Sequence, residues 1–446
     1  MERTAKQHAG AASRRTTVAL FTWCSICCLS LLYFTPRASY AVRDLLLVYF
    51  QPMVPVVFAL WLWAHNVQRF HALGIEYDMC FSAKDRKYLL SSGELYRIAL
   101  WLTAVCLTCA AGFASMGALG FYSLADYMPL LMYFAAALFV VAPANVLDMP
   151  SRLFFGETLQ RVLVPVQEVT WADFLMADIA TSLSKSSADL CKAALTLLAG
   201  PALHSLVTAG AAGAAPRVVD PLAAPVLFAM CLPYIIRFAQ CLIVNRTTGN
   251  RAQLLNALKY ATAFPALVLT AIEHEYHVSG LVYPMYDWWL GAMFVNSLYS
   301  YYWDLEMDWD MPWLAQPGGQ TFLRVLKLPG LKSDSMFRKS WYVWAALSNL
   351  VLRHTWAHRL IGKLEKHATV LLVMALLEVF RRYQWTYIRV ETELRKLRIR
   401  ASHGHLPDMG QRDSDGAGPG GSGLVGAGAS GTVPPPTDHP IVVTQD

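Results

Sequence analysis

Charged residues are scarce in this chain: Asp, Glu, Lys and Arg make up 15% of its 446 residues, whereas 55% are hydrophobic. An ordinary soluble domain carries about 25% charged residues, so this composition excludes that class. The mean hydropathy is positive, and 14 residues are Trp. Together these features predict an all-α polytopic membrane protein.

Motifs of enzymes and cofactor-binding proteins are also missing. The sequence contains no Walker loop, no dinucleotide fingerprint and no Ser/His/Asp set. Cysteines such as Cys24, Cys27 and Cys106 lie in apolar runs, where a thiol packs as a small hydrophobe. The segment 273–277 lacks the HExxH spacing of a zinc site, and the acidic run 304–310 lacks the glycine of a calcium loop. We therefore expect no enzyme, no cofactor and no metal.

The apolar runs predict about ten transmembrane helices, since each is close to the ~20 residues that cross a bilayer. The fifth run is less regular, because Asp178, Thr181, Ser182, Ser184 and Lys185 interrupt its beginning. The predicted spans are 17–34, 45–64, 96–117, 127–147, 171–206, 222–244, 255–274, 281–303, 341–358 and 368–388.

The distribution of basic residues predicts the topology. With ten spans, 23 Lys and Arg residues fall on the side of the N-terminus and about 6 on the other, which places both termini in the cytosol. Basic residues in short loops also argue against nucleic acid as a partner. We expect a basic cytosolic segment at 1–16, a transmembrane domain at 17–400 and a disordered, Gly/Ser/Pro-rich cytosolic tail at 401–446. A cleavable signal at 17–34 is the alternative, but the residues that follow it are a poor cleavage site.

The stretch Tyr299–Trp313 places an acidic run directly after an apolar, aromatic segment. On a helix Asp304 and Asp308 share a face. Carboxylates at membrane depth need cationic partners, because a charge there costs at least ~2.5–3.5 kcal/mol. The candidates also lie within apolar segments, and they are Arg237, Lys259, Arg353, Arg381 and Arg382.

Some of the candidate polar residues have a structural alternative. Asp178, with the hydroxyl residues that follow it, lines a cavity or else caps a helix start. Lys259 begins a span, where a lysine can simply extend its amine to the interface. Glu378 can pair with Arg381 or Arg382 on its own helix, which would make those charges a purely structural salt bridge.

Four motifs resemble one family in order and spacing. Leu232–Leu242, Leu255–Phe264, Val295–Trp309 and Glu378–Arg382 closely resemble the EXS family, over about residues 17 to 400. That family includes an animal phosphate exporter first known as a retrovirus receptor, plant root-to-shoot phosphate exporters and a shorter Golgi branch. The resemblance implies ten helices around an anion pathway for inorganic phosphate. It implies pathway roles for Asp178, Arg237, Lys259, Asp304, Asp308, Arg353, Arg381 and Arg382, and a gating role for Trp356.

The chain differs from the larger family members in two features, and these determine the membrane in which we expect it. Larger members begin with a cytosolic SPX sensor domain, whereas here about 16 residues precede the first span. The basic run after the Arg-Phe-x-Gln-Cys-Leu motif is reduced to Ile243–Arg246. The chain therefore resembles the Golgi branch, with the plasma membrane as second choice. This branch implies phosphate return from the lumen and Golgi glycosyltransferases as partners. We also expect phosphate, the bilayer and a second copy of the chain as partners. The rival is a non-transporting adaptor that retains those enzymes.

The chemistry of the candidate residues suggests how phosphate is distinguished from sulfate. Guanidinium groups offer forked donors to either anion. Phosphate near neutral pH keeps a P–OH group, whereas sulfate only accepts hydrogen bonds. A carboxylate beside the arginines would accept from that P–OH and repel sulfate. Asp308 and Asp178 are the candidates, and Asp308 is favoured because it shares a predicted helical face with Asp304.

Overall fold

The structure is a computed structural model that describes residues 2–141, 149–199, 224–279, 281–311, 336–357 and 368–402. These residues form helices and connecting turns, with no strand among them. The expectation of an all-α polytopic membrane protein is therefore confirmed. The predicted tail at 401–446 lies almost entirely outside the described residues, as do residues 312–335.

The helices of the first half are α1 (Glu2–Phe34), α2 (Tyr40–Phe50), α3 (Met53–Ala72), α4 (Ala83–Arg86), α5 (Ser92–Ala118), α6 (Tyr122–Ala125), α7 (Tyr127–Val141) and α8 (Met149–Leu163). Those of the second half are α9 (Trp171–Ser182), α10 (Ser184–Leu198), α11 (Ala224–Thr248), α12 (Ala252–Ala261), α13 (Ala263–Val278), α14 (Tyr286–Trp303), α15 (Lys339–Arg353) and α16 (Ala368–Ser402). A π-helical turn, Asp304–Asp308, continues α14.

Five helical segments of the described chain are long and apolar enough to cross a bilayer. They are Arg15–Arg37, Ser92–Ala118, Tyr122–Val140, Ala224–Thr248 and Ala252–Glu273, and the pair α2 and α3, bent by 40°, makes up to six. The remaining predicted spans coincide with helices that are shorter or carry charge. For example, the span at 171–206 is broken at Leu183 into helices of 12 and 15 residues. The count of ten stays a prediction.

Two helices organise the packing. In the first half, α5 contacts α1, α2, α3 and α7. In the second, α16 contacts α3, α9, α15 and the π-helical turn. The largest buried hydrophobic cluster lies around α16, where Trp385 and Tyr387 pack with Phe70, Trp171 and Phe174. Because α16 also carries Arg381 and Arg382, this packing places both arginines in the interior.

A capping box begins α9. The Thr170 side chain accepts from the backbone of Asp173, and the Asp173 side chain accepts from the backbone of Thr170. This reciprocal pair satisfies two donors that a helix start leaves open. Asp178 therefore lies within the helix, and its alternative role as a cap is wrong.

The acidic stretch departs from an α-helix. Trp309 N donates to Asp304 O at 2.9 Å, five residues back, and Asp310 has a positive φ of 50°. Single π turns inside helices widen the spacing of side chains and are frequent at functional sites. This turn brings Asp304 to α15 and Asp308 to the later part of α16.

Candidate functional site

Asp178 is the centre of one buried ion-pair cluster. Arg382 Nη1 donates to Asp178 Oδ2, and Arg237 Nε donates to Oδ1 at 3.1 Å. The Tyr260 hydroxyl donates to the same Oδ1 at 2.5 Å. Asp178 and Arg237 are each only 2% exposed. One carboxylate thus holds two arginines that come from α11 and α16.

Asp304 is the centre of a second cluster, which also contains two arginines. Arg353 donates to Asp304 Oδ2 through Nε at 2.8 Å and through Nη2 at 2.5 Å. Asn349 Nδ2 donates to that oxygen at 2.9 Å, and Arg381 Nη1 lies 3.5 Å from it. Asp304 is 1% exposed. Here too one carboxylate faces two arginines.

Glu378 and Ser182 join the two clusters. Arg381 donates to Glu378 through Nε at 2.8 Å and Nη2 at 2.5 Å. Ser182 Oγ donates to Glu378 Oε1 at 2.7 Å and accepts from Arg382 Nε at 3.1 Å. Thr181 Oγ1 accepts from Arg382 Nη2 at 3.1 Å. We call this connected set the arginine network. Its charged members are Arg237, Arg353, Arg381, Arg382, Asp178, Asp304 and Glu378.

Lys259 lies beside this network. Its side chain is 7% exposed, and Nζ is 4.2 Å from the Tyr260 ring centre and 5.3 Å from that of Trp303. The amine interacts electrostatically with Asp308 and Asp178. A buried amine between aromatic rings does not fit the alternative in which Lys259 extends to the interface. It adds another positive charge to the interior.

Trp356 is connected to Arg353 through α14. Trp356 Nε1 donates to Ser297 Oγ at 2.9 Å, and Ser297 Oγ donates to the Arg353 carbonyl at 3.2 Å. The indole also packs edge-on against Trp289, with ring centres 6.0 Å apart. Arg353 and Trp356 are three positions apart, a spacing that predicts a common helical face; α15 ends at Arg353, so that prediction is wrong. A hydrogen-bonded serine joins them instead.

The carboxylates of the acidic stretch contact different partners. Asp308 Oδ2 accepts from Trp385 Nε1 at 3.3 Å, and its Oδ1 lies 3.9 Å from Arg389 Nε. Asp310 lies 3.5 Å from Arg395. The π turn and the bend after it direct the carboxylates to different levels of α15 and α16. Of the predicted cations, Arg353 and Arg381 pair with Asp304, whereas Arg237 and Arg382 pair with Asp178.

Three further buried or half-buried polar residues, in the network or near it, had a signal in the sequence. Asn349 lies four positions before Arg353, so it shares the helical face that reaches Asp304. Tyr260 directly follows Lys259. Arg389 lies seven positions after Arg382, two helical turns along one face. These intervals were visible in the sequence, but the partners across the bundle were not.

The fold and the site define a class of protein: an all-α membrane protein with a buried network of four arginines and three carboxylates. Residues 46–395 match the EXS family, and the chain belongs to that family. It is 26% identical over 353 residues to SPX and EXS domain-containing protein 1 of Dictyostelium discoideum, covering 76% of this chain and 36% of that one. It is 29% identical over 345 residues to Solute carrier family 53 member 1 of Homo sapiens, covering 74% and 47%.

A shorter similarity concerns Protein ERD1 homolog 1 of Schizosaccharomyces pombe. The two are 33% identical over 174 residues, which cover 37% of this chain and 43% of that protein. Over its whole length, the chain covers less than half of the first curated relatives that it matches.

Proposed function

We propose that this protein moves inorganic phosphate across a membrane through the arginine network. The observation that carries the proposal is the charge balance of the whole network, in which four arginines face the three carboxylates of Asp178, Asp304 and Glu378. Asp178 pairs with Arg237 and Arg382, and Asp304 pairs with Arg353 and Arg381. A purely structural salt bridge needs one cation for each carboxylate. The surplus positive charge is what an anion entering the bundle would neutralise.

The types of donor also suit phosphate. A guanidinium group presents paired N–H donors that match two oxygens of a phosphate. The carboxylates keep these donors occupied between transport events, so phosphate competes with Asp178, Asp304 and Glu378 and is bound weakly enough to leave. Lys259 adds a compact charge beside both clusters. Asp308 and Trp356 complete the proposed pathway, the latter as a gate.

The finer proposal concerns location and topology. We place the protein in the Golgi membrane, returning phosphate from the lumen to the cytosol, with export at the plasma membrane as second choice. The likeness to the shorter ERD1 homolog supports the first, and the likeness to the solute carrier supports the second. We keep the division into 1–16, 17–400 and 401–446, with both termini cytosolic because of the basic loops.

Phosphate efflux from proteoliposomes tests the proposal. Vesicles that contain the purified protein should release loaded phosphate faster than empty vesicles. Vesicles that contain the Arg382→Ala variant, at matched protein content, should release it at the rate of empty vesicles. Folded wild-type protein without flux would favour the adaptor that retains Golgi glycosyltransferases, in which loops or the tail bind partners and the buried charges serve only structure.

A further inference from the structure

A further buried arginine lies two helical turns beyond Arg382 on α16. Arg389 is 0% exposed, and a rise of 1.5 Å per residue places it about 10 Å along the helix. Trp385 lies between the two on the same face. Arg389 is thus separated from the arginine network along the bundle, and it belongs to neither of the clusters around Asp178 and Asp304.

The donors of Arg389 are incompletely used. Nη1 donates to Glu393 Oε2 at 3.0 Å. Among the residues that the structure describes, Nε and Nη2 have no hydrogen-bond partner, although both atoms are buried. The ion pair with Asp308 joins Nε to Oδ1 at 3.9 Å, which is longer than a hydrogen bond. Leaving a charged donor buried without a partner is costly.

Aromatic rings line this position. The Cζ atom of Arg389 is 5.0 Å from the ring centres of both Trp171 and Phe174. Phe174 also packs against Arg237, whose Cζ is 4.6 Å from its centre. Trp385 packs against Arg382 at 4.5 Å. Rings therefore separate Arg389 from the network, and the donors in the guanidinium plane remain for a ligand.

We propose that Arg389 and Asp308 form an additional binding site for a tetrahedral oxyanion that carries a proton. Arg389 Nε and Nη2 donate to two oxygens of the anion, and Asp308 Oδ1 accepts from its P–OH group. A carboxylate has about four lone-pair positions, so Asp308 binds the anion in addition to Trp385 and its other partners. Glu393 holds Nη1 and so sets the rotation of the guanidinium group. As a step on the phosphate route, this site rests on the proposed function.

The competing explanation is structural. Arg389 would then serve only to neutralise Asp308 and Glu393 in the interior. The two explanations differ in what happens when Arg389 and Glu393 are neutralised together. If Arg389 serves only structure, removing one positive and one negative charge at once restores the balance. If Arg389 binds an anion, the anion loses the Nε and Nη2 donors whether Arg389 is neutralised alone or together with Glu393.

Structure determination tests the site itself. Cryo-EM maps of the wild-type protein should be compared in phosphate and in chloride. We expect tetrahedral density within hydrogen-bond distance of Arg389 Nε and Nη2 in phosphate only. No density at that place, or the same density in both maps, overturns the site. This comparison needs no transport activity, so it decides the site even if the proposed function fails.

The dependence of flux on phosphate concentration tests whether the Arg389 site takes part in transport. We expect Arg389→Gln to raise the apparent KM for phosphate about tenfold or more, because hydrogen bonds to a charged group are lost. The double variant Arg389→Gln/Glu393→Gln should fold without an unpaired glutamate and show the same rise. A wild-type KM in the double variant would overturn the transport role. Arg161→Gln is the matched control, since Arg161 pairs with Thr158 on its own helix α8 and with Asp173 at the start of α9.

Failure of the proposed phosphate transport and failure of the proposed Arg389 site give different results. Density at Arg389 in a protein without flux would refute phosphate transport and retain the site. Flux with an unchanged KM in both Arg389 variants would retain transport and remove Arg389 from its route.

Discussion

Arg382 donates to Asp178 across 204 positions of sequence, although its neighbour Arg381 turns to Glu378 and Asp304. Adjacent residues of a helix point about 100° apart. On α16 this difference sends one arginine to each cluster. The Arg381–Arg382 pair is therefore the point at which the two clusters of the arginine network are covalently joined.

Removing either arginine should stop phosphate flux. Each variant deletes a forked donor. Arg382→Ala leaves Asp178 with a single arginine, and Arg381→Ala leaves Asp304 with a single arginine and removes the ion pair of Glu378. We expect flux at the level of empty vesicles, with protein still present in the membrane. Efflux from proteoliposomes measures the first, and membrane fractionation measures the second. Arg398→Ala, at an exposed position of the same helix, is the control. Wild-type flux in either variant would remove that arginine from the site.

Arg381→Lys should also impair transport, although it retains the charge. Arg381 uses Nε and Nη2 for Glu378 while Nη1 reaches Asn349 at 3.3 Å. An ammonium group is a compact donor and does not reproduce this planar arrangement. We expect at least a tenfold lower rate, measured at saturating phosphate. A rate equal to that of the wild type would mean that charge alone suffices there.

Trp356→Ala should raise the rate at which phosphate leaks from proteoliposomes when no gradient of another ion is imposed. The indole and its bond to Ser297 lie next to the Arg353 carbonyl, where a bulky ring can block and dry a route. Trp356→Phe keeps an aromatic ring and loses the hydrogen bond, so we expect an intermediate leak. Trp344→Ala, at a side chain that is 55% exposed, should change nothing. Unchanged leak in Trp356→Ala would assign the residue to packing.

Asp308→Asn should weaken the exclusion of sulfate. Asp308 accepts from Trp385 at 3.3 Å, and its other oxygen lies 3.9 Å from Arg389. This position beside the arginine of the proposed anion site favours Asp308 as the acceptor for a P–OH group. A lost charged acceptor costs ~1–3 kcal/mol, or roughly tenfold in selectivity. Competition of phosphate flux by sulfate measures the effect. If Asp308→Asn and Asp178→Asn both keep the wild-type preference, a carboxylate does not select the anion.

Gly117→Ala should destabilise the packing of α2 against α5. A Cβ atom at Gly117 would lie 2.8 Å from Val42 Cγ1, and both residues are buried. Overpacking of this kind costs about 1–3 kcal/mol. The midpoint of thermal unfolding in detergent should fall. Gly93→Ala, where nothing lies within 4 Å of the added atom, should leave it unchanged or slightly higher. Equal midpoints for both variants would show that the α2–α5 contact is looser than described.

The class of the protein could be predicted from sequence because it follows from local properties. A run of apolar residues is helical in a bilayer whatever its neighbours are, since its backbone must satisfy its own hydrogen bonds. The cost of burying charge likewise singled out Asp178, Asp304, Arg353, Arg381 and Arg382 without any structure. Their order and spacing also carried the family resemblance, which the match over residues 46–395 confirmed.

What the tertiary structure alone decided is which charges meet. Asp304 and Asp308 were expected to share a helical face, but a π turn sends them to different levels of α15 and α16. Arg237 pairs with Asp178 instead of with the acidic stretch, because α9, α11 and α16 come together only in the folded bundle. Helical periodicity relates residues on one helix within a few turns. Pairing between helices depends on packing, whose contacts join positions more than 200 residues apart.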